Sequence, residues 1–188
     1  MKVGVLALQG AFAEMANAFR RTGAETFEIR SAADIARPFD ALALPGGEST
    51  AQRRLLDSTG LFAPLRDRIA AGLPVFATCA GLILLAREVE DGAPCFGALD
   101  VTVRRNAYGT QLDSFTVSGP CAGFDGVEMP FIRAPSIVRV GPGVKVLAFH
   151  AGAPTAVACG PLAAFAFHPE VTADPRLISR FLSACGNR

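Results

Sequence analysis

At 188 residues, 51% of them hydrophobic and 19% charged, the chain has the length of one domain with a sizeable core, which argues against two ordinary domains and against intrinsic disorder. The net charge is +1 and the 18 basic residues are scattered, the densest groups being the pairs Arg20-Arg21, Arg53-Arg54 and Arg104-Arg105, so no basic stripe exists for a nucleic acid. Five widely spaced cysteines (Cys79, Cys95, Cys121, Cys159, Cys185), an odd number with no Cys-x-x-Cys pair and no adjacent His, argue against a disulfide framework and a zinc site and for reduced thiols.

Residues 3–8 form a short apolar run ending at Gln9-Gly10, as expected of a central parallel strand that stops at a turn. The run is too short for a signal peptide or a membrane span, and a cytoplasmic location is expected. Residues 11–21 follow, with Phe12, Ala16 and Phe19 at helical spacing. Residues 26–29 read as a strand and Ser31 as the cap of a short helix. A third apolar run, residues 41–44, ends at Pro45-Gly46-Gly47. A helix over residues 62–71 leads into the strand 74–78, then Cys79 and a helix over 80–87. This alternation implies a parallel sheet covered on both faces, with ligands at the carboxyl ends of its strands. From Gly97 onward the pattern changes to short, turn-punctuated strands at 99–103, 114–117, 127–131, 137–140, 144–149, 155–158 and 162–167, closed by a helix over 175–184 with Pro at its start.

Three segments carry chemistry. Cys79 lies between strand and helix with Thr78, Ala80 and Gly81 around it, the small neighbours that a nucleophile elbow requires. A helix N-terminus also favours a thiolate. A buried structural cysteine fits the same local pattern. The other four cysteines lack this setting, with Cys95 and Cys121 read as loop residues. A cysteine nucleophile needs a base, and the chain has two histidines. His168 ends a strand and is followed by Pro169-Glu170, a carboxylate placed to orient it; His150 ends a strand without one. Taken alone, His168 also reads as a surface imidazole. Pro45-Gly46-Gly47-Glu48-Ser49-Thr50 follows a strand, and its glycine amides can build an oxyanion hole with the amide of Ala80; most Gly-Gly turns are merely turns. No Walker or Gly-x-Gly-x-x-Gly pattern accompanies it.

Together these residues resemble the class I glutamine amidotransferases. The match runs nearly end to end, through residues 5–11 (Val-Leu-Ala-Leu-Gln-Gly-Ala), 44–50 (Leu-Pro-Gly-Gly-Glu-Ser-Thr), 78–82 (Thr-Cys-Ala-Gly-Leu), 105–109 (Arg-Asn-Ala-Tyr-Gly), 131–135 (Phe-Ile-Arg-Ala-Pro) and 167–170 (Phe-His-Pro-Glu). The Cys and His-x-Glu elements mark the broad class. Leu-Gln-Gly, Gly-Gly-Glu-Ser-Thr, Arg-Asn and Phe-Ile-Arg-Ala-Pro single out its vitamin B6 branch.

The resemblance implies an α/β fold of three layers, flavodoxin-like, with a mostly parallel central sheet, helices on both faces and extra antiparallel strands in the C-terminal half, all in one domain over residues 1–188. It implies that Cys79 attacks the side-chain amide of L-glutamine, that His168 shuttles protons and that Glu170 holds His168. It further implies glutamine binding by Gly47, Glu48, Ser49, Arg105, Ile132 and Arg133, with Gly47 and Ala80 as the oxyanion hole. For Arg105 and Arg133, a place at the surface or an interface is the alternative. No metal or cofactor is expected. The implied partner is the barrel-shaped subunit of pyridoxal 5'-phosphate synthase, in a large hetero-oligomeric ring that receives the ammonia and activates the glutaminase; no membrane or nucleic acid is involved. One departure stands out: relatives commonly carry Glu-His where this chain has Glu14-Met15, at a position expected on the first helix towards the partner. Competing readings are a glutaminase serving another amidotransferase, a cysteine peptidase or chaperone of a related superfamily, and a non-catalytic scaffold of the same fold.

Overall fold

The computed structural model describes residues 1–90, 92–105 and 114–186. Its centre is a seven-stranded sheet in the order β10-β11-β12-β4-β3-β1-β2. Five neighbours run parallel: β2 (Glu25–Ile29), β1 (Lys2–Leu6), β3 (Ala41–Leu44), β4 (Val75–Thr78) and β12 (Leu162–Phe165). Two antiparallel strands extend it beyond β12, namely β11 (Ala153–Cys159) and β10 (Lys145–His150). Every residue of β3 and β4 is fully buried, which is why these strands read as unbroken apolar runs.

Helices α1 (Phe12–Arg21) and α6 (Arg176–Gly186) lie side by side on one face. There Phe19 and Phe181 meet Phe76 of β4 with ring centroids 5.5 and 5.4 Å away. The other face carries α2 (Ala32–Ile35), α3 (Ser49–Ser58), α4 (Phe62–Ala70) and α5 (Ala80–Leu85), which pack on one another and on the strands. Asp34 reaches back to the Ser31 amide (2.9 Å), tying down the start of α2. Two smaller sheets complete the C-terminal half: β5 (Ala86–Val89), β6 (Leu99–Arg104) and β9 (Ser136–Val140), and the hairpin of β7 (Phe115–Cys121) with β8 (Phe124–Phe131). The β7–β8 turn, Ala122-Gly123, and the β10–β11 turn, Ala151-Gly152, have positive φ at both residues, the geometry that matches the twist of the flanking strands. No helix among the described residues is long and apolar enough to cross a membrane.

The α/β architecture, the helices on both faces and the extra antiparallel strands agree with the sequence reading. Several boundaries differ. β1 ends at Leu6, not Leu8, and β12 at Phe165, not Phe167. α3 was not anticipated, because two of its three buried residues, Ser49 and Gln52, are polar and conceal the helical period. The helix expected over 80–87 stops at Leu85, and Ala86–Val89 instead pairs with β6, tertiary pairing overriding local propensity. Cys121, expected in a loop, is the fully buried last residue of β7. Residues 106–109 of the Arg-Asn-Ala-Tyr-Gly motif lie outside the described residues.

Candidate active site

The carboxyl ends of β1, β3, β4 and β12 lie side by side, and each leads directly into a segment singled out by the sequence. β4 delivers Cys79. This residue turns the chain into α5 with φ 48° and ψ −102°, in the left-handed half of backbone space. A non-glycine residue there carries roughly 1–3 kcal/mol of strain, and nucleophile elbows are built on this kind of turn. Its amide is anchored to the Phe165 carbonyl of β12 (2.8 Å). Two positions on, a Cβ on Gly81 would collide with the Leu44 carbonyl, so only glycine lets α5 pack this tightly against β3. The sulfur of Cys79 opens onto a cavity of about 280 Å³ and lies 3.9 Å from the Ile132 carbonyl oxygen.

β12 leads to His168, the candidate base. The His168 amide donates to the Pro130 carbonyl of β8 (2.9 Å), and a 3-10 turn over Pro169–Val171 then folds Glu170 back beneath the ring. Nδ1 of His168 lies 2.8 Å from Oε1 of Glu170. That contact leaves Nε2 for Cys79. Glu170 is 1% exposed, and its Oε1 also accepts a hydrogen bond from the Thr78 hydroxyl (3.1 Å). A Cβ on Gly46 would overlap the imidazole, which explains glycine at that position.

Burial alone would push the imidazole of His168 down. Hydrogen bonds and charge interactions with Cys79 and Glu170 outweigh it and raise the group from 6.5 to about 10. The ring is therefore an imidazolium at neutral pH, placed to stabilise a thiolate and to give a proton to a leaving group. NMR titration of ¹⁵N-labelled protein is expected to show the His168 ring protonated through neutral pH and titrating near 10. Glu170→Gln, which removes the paired charge, is expected to lower that value. A wild-type ring that titrates at the ordinary 6.5 or below would contradict the ion-paired site.

β3 delivers the glycine turn. Its position is set from the β1 side: Gly10, at φ 97°, leaves space for the Gly46 carbonyl, which accepts from the Ala11 amide (3.0 Å). The Gln9 side chain holds the Glu48 amide (2.8 Å), and the Gln52 amide group donates to the carbonyls of Gln9 (2.9 Å) and Pro45 (3.2 Å). Among the described residues the Gly47 amide donates to no other group. The Ala80 amide belongs to the first turn of α5, where the helix supplies no acceptor. The amides of Gly47, which lines the cavity, and of Ala80, which follows Cys79, are thus left as donors of the kind an oxyanion hole requires.

Glu48 caps α3, accepting from the amides of Thr50 (2.9 Å) and Ala51 (2.7 Å). Against the opposing effect of burial, these bonds and nearby Arg105 hold its carboxyl below the usual range. Arg105 approaches Glu48 Oε1 at 3.5 Å, leaving donors of its planar fork for an anionic ligand. Arg133 follows the 40% exposed Ile132 with φ 47°, a second non-glycine residue in the left-handed region at this cavity.

The structure brings nearly the whole candidate set together. Gly47, Glu48, Ser49, Cys79, Arg105, Ile132, Arg133 and His168 all line the one cavity. Glu170 lies behind His168, and the amide of fully buried Ala80 follows Cys79. His150 is elsewhere, packed on Phe115 and Phe131 at 5.4 and 5.6 Å between centroids. Sequence reasoning missed Ala11, Glu14, Ile83 and Val171 as lining residues and Thr78 as a partner of Glu170. For Ile83 the signal was available, four positions after Cys79 and therefore on the same helix face. The expectation for position 15 is corrected. Met15 is fully buried on the inward stripe of α1 with Ala16, Ala18 and Phe19, so it does not face outward to a partner; Glu14 is the neighbour that reaches the cavity. The thiols of Cys95 and Cys121 are pushed up by burial to about 11 and about 12, which makes them poor nucleophiles.

Comparison with known proteins gives a consistent result. The model of the SNO glutamine amidotransferase family matches residues 5–187. The pyridoxal 5'-phosphate synthase subunit PdxT of Methanocorpusculum labreanum is 50% identical over 182 residues, 97% of this chain and 96% of its own. The PdxT subunit of Deinococcus radiodurans is 49% identical over 195 residues, 100% of this chain and 99% of its own. A crystal structure of a glutamine amidotransferase superposes with a TM-score of 0.91 at 42% identity, covering 98% of both chains. Another glutamine amidotransferase, from Thermotoga maritima, shares the fold at 14% identity and a TM-score of 0.63, with 99% of this chain and 94% of its own covered.

Proposed function

The chain belongs to the SNO glutamine amidotransferase family, and from that membership we propose that it is the glutaminase subunit of a pyridoxal 5'-phosphate synthase, acting through Cys79, His168 and Glu170. The observation that carries the catalytic assignment is the contact between buried Glu170 and His168 (2.8 Å) directly behind a cysteine held at a strained elbow over the cavity.

In this mechanism the Cys79 thiolate attacks the side-chain amide carbon of L-glutamine. The carbonyl oxygen takes up negative charge facing the amides of Gly47 and Ala80. As the tetrahedral adduct collapses, the C–N bond breaks, His168 gives its proton to the departing nitrogen, and ammonia and a γ-glutamyl thioester result. His168, now neutral, takes a proton from water; the resulting hydroxide attacks the thioester, the C–S bond breaks, and glutamate and the thiolate are released. Glu170 fixes the ring's orientation throughout, balances its charge while it is an imidazolium and keeps the proton on Nδ1 when it is neutral. Arg105 and Arg133 supply cations for the substrate α-carboxylate, while Glu48, Ser49 and Ile132 shape the same wall.

The whole of residues 1–188 works as one glutaminase domain in the cytoplasm. It docks on a barrel-shaped synthase subunit within a ring complex, which takes up the ammonia before water protonates it. The test is glutamate production by the purified chain, alone and with the synthase subunit from the same source. Turnover that appears or rises sharply with that subunit supports the proposal. Absence of turnover in both conditions would remove it in favour of another acceptor enzyme or a non-catalytic subunit.

A further inference from the structure

We infer that Thr78 is a positioning residue for glutamine hydrolysis, its buried hydroxyl tying the carboxylate behind the base to the glycine turn that presents the oxyanion donor. The inference rests on the proposed roles of Cys79, His168 and Glu170. Thr78 is fully buried as the last residue of β4. Its Oγ1 has two partners at 3.1 Å: the Gly46 amide and Glu170 Oε1.

The chemistry of those partners sets the direction of every bond. A backbone N–H can only donate, so Oγ1 accepts from Gly46, and its single proton goes to Glu170. Oε1 therefore accepts, and the bond it shares with His168 is made by a proton on Nδ1. The chain Gly46 N–H to Thr78 O–H to Glu170 Oε1, with His168 Nδ1–H donating from the other side, thus fixes the ring orientation that directs Nε2 at Cys79 and keeps the proton on Nδ1 when Nε2 gives its own away.

The same hydroxyl fixes the other half of the site. Gly46 is held on its carbonyl side by the Ala11 amide (3.0 Å) and on its amide side by Thr78 (3.1 Å). The next amide along is that of Gly47, the proposed oxyanion donor. One side chain thereby holds both the proton-transfer end and the charge-stabilising end of the reaction. Both ends act in the transition state, so loss of the hydroxyl must reduce kcat with little change in KM.

Thr78→Val keeps the shape and the β-branch but removes the hydroxyl. Assayed with the synthase subunit present, it is expected to lower kcat by about ten- to a hundredfold, the worth of one hydrogen bond to a charged group, with KM within about twofold. Thr78→Ser, which restores the hydroxyl, is expected to recover most of that loss. In a Glu170→Gln background the valine substitution is expected to cost less than in wild type, because the contact with Glu170 is already altered, while the part carried by the Gly46 amide remains. Wild-type kcat in Thr78→Val overturns the inference, as does a serine variant as impaired as valine. If the valine protein does not fold, Thr78→Ala against Thr78→Ser makes the same comparison. Cys79→Ala, run alongside, separates the two levels: turnover by that variant removes the catalytic reading itself, whereas an inactive Cys79→Ala with a fully active Thr78→Val removes only the role of Thr78.

Discussion

Cys79→Ala is expected to lower glutamine turnover to background, a loss on the order of 10⁵- to 10⁶-fold, as for removal of other catalytic nucleophiles. No other thiol can substitute. Cys95 and Cys121 are held protonated by burial, and neither they nor Cys159 and Cys185 line the cavity. The fold should survive, because alanine keeps the Cβ that the φ of 48° already tolerates and removes only one sulfur atom from a residue that is 6% exposed. The check is ammonia release with the synthase subunit present, together with a thermal melt. Retained turnover with a normal melt would show that Cys79 is a structural thiol and that the chemistry lies elsewhere.

His168→Asn is expected to cost about 10⁴-fold or more in kcat, because it removes both the cation beside the nucleophile and the proton donor to the leaving nitrogen. The matching substitution His150→Asn provides the contrast. His150 packs against the stacked pair Phe115 and Phe131 away from the cavity, so its loss should affect stability far more than turnover. Glutamate production by the two variants decides the matter. Greater damage from His150→Asn would mean that the base is misassigned.

The sequence reading reached the catalytic candidates because each stands at a punctuation mark in an apolar pattern. Cys79 follows four buried residues, His168 follows β12, and the glycines follow β3. Parallel strands with both faces covered are hard to misread, and their ends are where the chemistry collects. The partners that tune these residues were less legible. Thr78 looks like any β-branched strand residue until Glu170, 92 positions away, is folded onto it. Helix α3 went unseen because Gln52 spends its amide group on the carbonyls of Gln9 and Pro45, so a polar residue occupies an inward position where the helical pattern needs an apolar one. The helix boundary at Leu85 depended on β6, which contributes a pairing edge that no local window contains. Position 15 illustrates the converse. Helical spacing from Phe12 and Phe19 already placed Met15 and Ala16 inward, and following that spacing would have been a better guide than analogy with relatives.

The insertion of β12 between β4 and β11 also bears on how the protein is made. Cys79 is synthesised early, but β12, the strand that leads to His168, begins more than eighty residues later and must enter the middle of the sheet in parallel register with β4. Such long-range closure is entropically costly and tends to come late in folding. A chain still emerging from the ribosome therefore has Cys79 but neither His168 nor Glu170 beside it. If Cys79, His168 and Glu170 act as proposed, glutamine hydrolysis begins only once β12 is seated, and a nascent chain that ends before it releases no ammonia.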